Sequence, residues 1–452
     1  MVVVIVLVLL VLGSVLFHFL SPWYFTPIAS NWGKIDDTIG LTFWVTGGVF
    51  VAVNLFMAYC IIRYRQRKGS GATYEPENKK LEAWLVGLTA VGVAAMLAPG
   101  LSVWAKFVNV PEEAAVFEAV GQQWNWSFRF PGKDGKLGTV DSRYVGDKNP
   151  FGMNPDDPDG KDDVLVATPE VHLPVGKPVK VLLRSKDVLH DFTVAQIRVK
   201  MDLVPGLVSY IWFTPTRTGN FDILCEELCG IAHFAMRGRI IVEEEREYQA
   251  WLSGQPTYAQ TLAKTAGDAA AGKPLYAVCS ACHGVQAEGN PAMHAPKLSG
   301  QRDWYLQRQL KYFKNGARGT HDKDVFGRTM APMAATLADD TAIANVSAYI
   351  RTLPDHPAPA TVKGNANGGK RLYVTTCGAC HGPGGRGVEA TNAPGLKGMS
   401  DWYLVTQLKN FKQGIRGAHP KDMYGPQMAL MAETLGDEQA IDDLVAYVNT
   451  LQ

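Results

Sequence analysis

Cys225-Glu226-Glu227-Leu228-Cys229-Gly230-Ile231-Ala232-His233-Phe234-Ala235-Met236 is the stretch around which the rest of the chain falls into place. It sets two thiols four residues apart, an imidazole four further on and a thioether three beyond that. Thiolate, imidazole and thioether form a soft donor set, the kind that selects copper over magnesium or calcium. Cys-x3-Cys with a nearby His also fits a zinc site or a disulfide hairpin. A second imidazole is on offer in Val188-Leu189-His190-Asp191-Phe192, an apolar strand-like run that a β-sandwich would lay beside the loop.

The pattern resembles the dinuclear copper A (CuA) site of cytochrome c oxidase subunit II. The resemblance implies that Cys225 and Cys229 bridge two copper ions and that His190 and His233 are terminal ligands. It further implies Met236 as the weak axial ligand of one copper and the backbone carbonyl of Glu227 as a ligand of the other. Shared thiolates spread one electron over both metals, and a buried, rigid loop keeps the geometry nearly constant on reduction. Lys200-Met201-Asp202-Leu203-Val204-Pro205-Gly206 follows His190 as a similar segment does in the family. The family usually carries Arg after that Pro-Gly; Leu207 stands here, which bears on a contact to a partner subunit and not on the copper ligands.

From about 114 to 245, short runs rich in Val, Phe, Trp and Ile are broken by Gly, Pro and Asp, the pattern of an antiparallel sandwich. Gly121-Gln122-Gln123-Trp124-Asn125-Trp126-Ser127-Phe128 alternates polar and aromatic residues as a half-buried strand does, and core packing accounts for its tryptophans. The family's Gly-x-Gln-Trp-x-Trp segment implies a further role: its first Trp, here Trp124, lies where electrons come in. The Asp- and Gly-rich insert 141–163 reads as a solvated surface loop, with Asp156, Asp157 and Asp159 as a weaker cation-binding alternative.

At 452 residues the chain is long enough for about three domains. A net charge of +1 gives nucleic acid no electrostatic foothold. Apolar residues concentrate in the first hundred positions, where runs at about 2–20, 41–62 and 81–103 are of membrane-spanning length. A signal peptide competes for the first run, but no Lys or Arg precedes it and no small-residue cleavage site follows. Arg63, Arg65, Arg67, Lys68, Lys79 and Lys80, against Glu75 and Glu77, place the connection between the second and third spans in the cytoplasm. The remainder then lies outside, in the periplasm, and Trp23, Tyr24, Phe25 and Trp32 suit an aromatic belt. Glu82 opens the third span, where an acidic residue suits a helix N-terminus. In subunit II of many oxidases an acidic residue in a similar setting stands at a proton channel; Glu82-Ala83-Trp84 is one residue short of that spacing.

Of seven cysteines, Cys60 sits within an apolar span and the remaining four belong to an internal repeat. Cys279-Ser280-Ala281-Cys282-His283-Gly284 recurs as Cys377-Gly378-Ala379-Cys380-His381-Gly382. The 98-residue offset carries Pro296 to Pro394, Asp303-Trp304-Tyr305-Leu306 to Asp401-Trp402-Tyr403-Leu404, and Met330 to Met428. Cys-x-x-Cys-His attaches c-type haem through the two thiols, with the His as proximal iron ligand. A distal Met raises the potential and suits electron transfer. A shared four-cysteine zinc site and thioredoxin-like chemistry are the competing readings. Both copies resemble class I dihaem cytochromes c, in which the Met seven residues before a Leu is the ligand; Leu337 and Leu435 thus pick Met330 and Met428, leaving Met333 and Met431 to the pocket or core. His294, His321, His356 and His419 read as solvated loop residues, and 252–272 and 354–370 as linkers.

The expected fold class is therefore multidomain: transmembrane helices over 1–105, an all-β cupredoxin-like CuA sandwich over 106–250, and all-α cytochrome c domains over 265–354 and 364–452. The resemblance implies subunit II of a respiratory haem-copper oxidase in a bacterial inner membrane, carrying electrons through two c-type haems to CuA. The implied partners are subunit I, where oxygen is reduced and protons are translocated, the other oxidase subunits, membrane lipid, and a donor that is either a cytochrome c or a quinol-oxidising complex. The small subunit of a CuA-type nitric oxide reductase and a membrane-anchored electron carrier are the alternatives. From 265 to 452 there are 19 basic and 16 acidic residues, so strong electrostatic steering of a donor is not expected.

Overall fold

The computed structural model describes residues 2–451 apart from 22–25, 67, 68, 70, 72, 73, 75, 147, 148, 264 and 265. The belt residues Trp23, Tyr24 and Phe25, and Arg67, Lys68 and Glu75 of the basic connection, lie outside the described residues. Helices α1 (Val2–Leu20), α2 (Gly33–Arg63) and α3 (Lys79–Val108) are long and apolar enough to cross a membrane. The second starts ahead of the apolar stretch that announced it because its polar first turns are helical, and the third extends past its own at both ends, from Lys79 to Val108. Asp36 suits the N-terminal turn of α2, and the Asn78 side chain accepts from Leu81 N–H to cap α3.

Trp32 belongs to no belt. Its Nε1–H donates to the Trp212 carbonyl at 2.9 Å and its ring packs on Trp212 and Phe107, at centroid distances of 4.8 and 5.4 Å. Trp212 donates in turn to the Phe107 carbonyl, and Arg198 pairs with Asp36 at 2.7 Å. The sandwich is thereby seated on the start of α2 and the end of α3.

Two five-stranded sheets build the sandwich. The first has the order β3 (Val164–Val166), β2 (Asn125–Phe130), β1 (Ala115–Gln122), β5 (Val179–Ser185), β8 (Ser209–Phe213). The second has the order β4 (Glu170–Pro174), β10 (Arg237–Glu243), β9 (Gly219–Leu224), β6 (His190–Val194), β7 (Val199–Leu203). The sandwich is mixed and not purely antiparallel: β1 with β5 and β10 with β4 pair in parallel. Strand β5 alternates buried Val179, Val181, Leu183 and Ser185 with half-buried residues, so one face closes the core. Trp126 is fully buried, edge-on to Phe192 across the two sheets.

The insert 141–163 is folded in, contrary to the solvated-loop expectation. Phe151 and Met153 are buried with Val120, Leu165 and Tyr258. Its last residue, Asp163, pairs with Arg129 at 2.8 Å, and Glu118 pairs with both Arg129 and Arg184 at 3.0 Å. These buried charges are matched, as burial demands. Nor is 252–272 a plain linker: α4 (Glu245–Ser253) stacks Trp251 on His172, and α5 (Tyr258–Ala263) buries Tyr258.

The first repeat comprises α6 (Ala269–His283), α7 (Asp303–Lys314), α8 (Val325–Ala335) and α9 (Asp340–Thr352). The second comprises α10 (Ala366–Leu372), a π-helical turn over Tyr373–Cys377, α11 (Gly378–His381), α12 (Asp401–Lys412), α13 (Gly425–Glu433) and α14 (Glu438–Val448). In each, the first helix crosses the last at a glycine: a Cβ on Gly272 would lie 1.9 Å from the Asn345 carbonyl oxygen, and one on Gly369 1.9 Å from that of Asp443. Those two glycines are 97 residues apart, whereas the haem-motif cysteines are 98 apart, so the offset is not constant. The second repeat carries one extra residue ahead of Cys377, and the π-helical turn absorbs it. The segment 354–365 is also no free linker: Asp355 pairs with Lys297 at 2.6 Å, and Asp401 accepts from Thr361 and Val362.

The repeats meet across an exchanged pair. Arg318 donates to the Tyr403 hydroxyl at 2.7 Å and to Gln407, while Arg416 donates to the Tyr305 hydroxyl at 3.0 Å and to Gln309.

Candidate copper and haem sites

The loop 225–236 joins β9 to β10, and β6 pairs with β9, so His190 is presented to the loop from the head of β6. Cys225 Sγ and Cys229 Sγ are 3.7 Å apart; His190 Nδ1 lies 3.9 Å from the first and His233 Nδ1 3.5 Å from the second. Met236 Sδ is 3.8 Å from Cys229 Sγ, and the Glu227 carbonyl oxygen 3.3 Å from Cys225 Sγ. Four of the six predicted donors thus converge on the other two, the paired thiols. Among the described residues, His190, Cys225 and Cys229 form the only group of three or more His, Cys, Asp or Glu donors lying within 4.8 Å of one another.

Supporting residues fix this arrangement. Asp187 Oδ1 is 2.8 Å from His190 Nε2, which turns the other ring nitrogen to the thiols. The Cys225 thiol is held well below the ordinary range, first by the Cys229 hydrogen bond and then by His190 and the backbone N–H of Asp191. A thiolate facing a second sulfur and two imidazoles is the donor chemistry a copper pair requires. Gly230 has φ +125°, and a Cβ there would lie 2.9 Å from the Trp124 ring, so glycine is needed for the loop to close on Trp124. Gln123 Nε2–H donates to the Cys229 carbonyl at 2.7 Å.

Both haem motifs open onto one cavity of about 580 Å³. His283 Nδ1–H donates to the Pro296 carbonyl at 2.7 Å and His381 Nδ1–H to that of Pro394 at 2.8 Å. Each Nε2 is therefore left with its lone pair, and burial lowers the pKa of both rings and keeps them neutral. Burial pushes the Cys377 thiol up to about 12 and the Cys380 thiol up to about 11, the opposite of a reactive thioredoxin-like pair. Among the described residues the two Cys-x-x-Cys pairs form no joint four-sulfur group, which speaks against the shared-zinc reading. Met330, Met333, Met428 and Met431 all line the cavity.

The cavity also fits haem at its acidic edge. Arg308 Nε and Arg318 Nε are buried there without a partner, donors suited to carboxylates. Arg308 lies over the rings of Trp304 and Tyr424, 4.8 and 4.5 Å from their centroids. These arginines were missed in the sequence. Arg318 and Arg416 do share the repeat offset, and that was the available signal.

Trp124 is buried, with the second repeat against it. Gln427 Nε2–H donates to the Trp124 carbonyl at 2.8 Å, the Tyr424 hydroxyl to the Ala167 carbonyl at 3.1 Å, and the Gln122 amide to the Ala390 carbonyl. Cys380, Met428, Leu430 and Met431 pack on the core of the sandwich. His294, expected to be solvated, stacks on Phe326 at 3.9 Å. Glu82 is exposed in the first turn of α3.

A membrane-anchored redox protein is the class these features define: a sandwich with a soft dithiolate loop, carrying two c-haem folds against it. Residues 115–244 match the family described as cytochrome c oxidase subunit II, periplasmic domain, and 269–354 and 366–452 each match cytochrome c. The alternative cytochrome c oxidase subunit 2 of Bradyrhizobium diazoefficiens is 61% identical over 57% of this chain and 94% of its own length. Cytochrome c4 of Pseudomonas aeruginosa is 36% identical over 34% of this chain and 76% of its own. The crystal structure of the periplasmic domain of subunit II of cytochrome oxidase of Bradyrhizobium japonicum, 29% identical, covers 32% of this chain and 95% of its own, with a TM-score of 0.24. The chain belongs to the cytochrome c oxidase subunit II family, here with two cytochrome c domains following the copper domain. Its work is to relay electrons from a donor through the cytochrome c domains to the copper domain of an oxidase.

Proposed function

We propose that this chain is the electron-input subunit of a proton-translocating haem-copper terminal oxidase in a bacterial inner membrane, with its sandwich and repeats on the periplasmic side. His190, Cys225, Glu227, Cys229, His233 and Met236 hold the dinuclear copper. Cys279, Cys282, His283 and Met330 hold one haem, and Cys377, Cys380, His381 and Met428 the other. When bound, these groups supply one-electron chemistry; the protein orients, insulates and couples them. Asp187 aims His190, the Pro296 and Pro394 carbonyls aim the proximal histidines, and Gly230 lets Trp124 lie against the copper loop. Trp124 is in this reading the bridge for electrons reaching the loop, and Glu82 the candidate for proton entrance from the cytoplasm. Oxygen reduction belongs to subunit I.

The observation that carries the reading is the hydrogen bond from Gln427, one residue before Met428, to the Trp124 carbonyl, which joins the second haem pocket to the copper loop. The test is turnover of the purified complex with oxygen and, separately, nitric oxide, in wild type and Met428→Ala. Oxygen uptake that collapses in the variant is expected. Nitric oxide turnover without oxygen uptake would instead identify a reductase, and no turnover with either would identify a carrier. Unchanged proton uptake in Glu82→Gln would remove that residue from the proton path.

A further inference from the structure

The internal repeat duplicates a surface as well as a pocket. On α13, Gln427 and Met431 lie four residues apart on one helix face and meet the copper domain; Tyr424 flanks them and bonds to Ala167. The 98-residue offset takes these positions to Thr329, Met333 and Phe326 on α8. There the face is open: Met333 is 40% exposed where Met431 is 8%, Phe326 is 45% exposed, and Val325, one turn before Thr329, is 61% exposed. Met293 beside the same pocket is exposed too, and Phe326, Thr329 and Met333 line the haem cavity. A contiguous apolar rim at a cofactor pocket is the mark of a docking surface. Its duplicate shows the kind of partner such a face takes, since in the second repeat it is filled by a redox domain through uncharged amide, hydroxyl and apolar contacts.

We propose that the Val325, Thr329 and Met333 face of α8, with Phe326 at its edge, docks the external electron donor, a redox protein presenting an uncharged apolar surface around its own cofactor. The first repeat is then the input port, and the second, already seated on the copper domain, is the internal donor. The step is a single electron leaving the partner's reduced cofactor for the first repeat's ferric haem, with no bond made or broken. The proposal rests on the oxidase reading above, which supplies the final oxidant.

The experiment uses the whole complex, with a soluble single-haem cytochrome c as probe and the small diamine TMPD as a donor that needs no docking. Oxygen uptake with TMPD in wild type tests the oxidase reading by itself. The docking proposal is read from two other quantities: the Kd of the oxidised probe, and the second-order rate at which the reduced probe reduces haem in stopped flow. Val325→Glu and Thr329→Glu are both at exposed positions on α8, and at Val325, in its first turn, Glu also suits the helix N-terminus. Each is expected to weaken binding and slow reduction by the probe at least about tenfold, the equivalent of ~1.4 kcal/mol, since an unpaired carboxylate enters an apolar contact. Little dependence of either quantity on salt is expected in wild type. Unchanged Kd and rate in both variants, a fall in Gln427→Glu only, or protection of Met333 from oxidative footprinting in the complex without probe would each overturn it.

Discussion

Asp303 and Asp401 head the same Asp-Trp-Tyr-Leu sequence at the start of equivalent helices, yet they live in different surroundings. Asp303 is half-buried, with 46% of its side chain exposed, and its nearest cation, Arg351, is 3.8 Å away. Asp401 is fully buried and accepts from Thr361 N–H at 2.5 Å, the Thr361 hydroxyl and Val362 N–H at 2.8 Å, and Asn449 at 3.0 Å. The same contrast runs through Met333 and Met431, and Thr329 and Gln427. Duplication preserved the pocket and the helix crossing, while positions that acquired a neighbour, whether the 354–365 segment or the copper domain, diverged toward it. The two repeats therefore test which residues serve the shared plan and which serve a location.

The largest effect should come from removing a haem attachment. Cys279→Ala/Cys282→Ala and Cys377→Ala/Cys380→Ala are each expected to halve the covalent haem per chain, read by pyridine haemochrome absorbance. Only the second should also expose Trp124, because only the second repeat covers it. A matching shift of tryptophan fluorescence in both variants would break the comparison.

Next come the helix crossings, where the repeats should behave alike. Gly272→Ala and Gly369→Ala both drive a methyl into a backbone carbonyl at the same 1.9 Å, so each should destabilise its own repeat by roughly 2–3 kcal/mol. Denaturant unfolding followed at the haem Soret band measures this. A difference above ~1 kcal/mol between them would mean that the π-helical turn ahead of Cys377 relaxes the second crossing.

The architecture was legible because its signals are dense and periodic: apolar runs of membrane length, alternating strands, and motifs such as Cys-x3-Cys-x3-His and Cys-x-x-Cys-His that leave few chemistries open. What stayed hidden was contact between distant segments. Asp- and Gly-rich composition around 141–163 reads as solvated, and nothing local reveals that Arg129 and Arg184 wait to neutralise buried Asp163 and Glu118. Trp32 follows a membrane span, which favours a belt, but its partners Trp212 and Phe107 come from far along the chain. The place of Arg308 and Arg318 at the haem cavity depends on distant segments in the same way, and only the recurrence of Arg318 as Arg416 marks it in the sequence. The extra residue before Cys377 was in principle countable, had the glycines been aligned as well as the cysteines.

The smallest effect sharpens the comparison most, because it concerns one identical residue in two settings. Burial alone would raise the Asp401 carboxyl pKa, but the backbone N–H groups of Val362 and Thr361, with the Thr361 hydroxyl and Asn449, outweigh it and hold the group below the usual carboxylate range. A depressed folded-state pKa adds stability that is fully present above the unfolded value of about 3.9 and is lost as the pH falls through the folded value. The second repeat should accordingly weaken in acid below about pH 4 through Asp401. Asp401→Asn should cost about 1–3 kcal/mol at neutral pH and flatten that part of the acid limb, because a neutral amide cannot satisfy these four donors as a carboxylate does. Asp303→Asn should stay within ~0.5 kcal/mol at any pH, as expected for a loose pair on the surface. The readout is the unfolding midpoint against pH for both variants and wild type. If Asp303→Asn proved as costly, equivalence in sequence would outweigh difference in surroundings, and location would no longer explain how the repeats diverged.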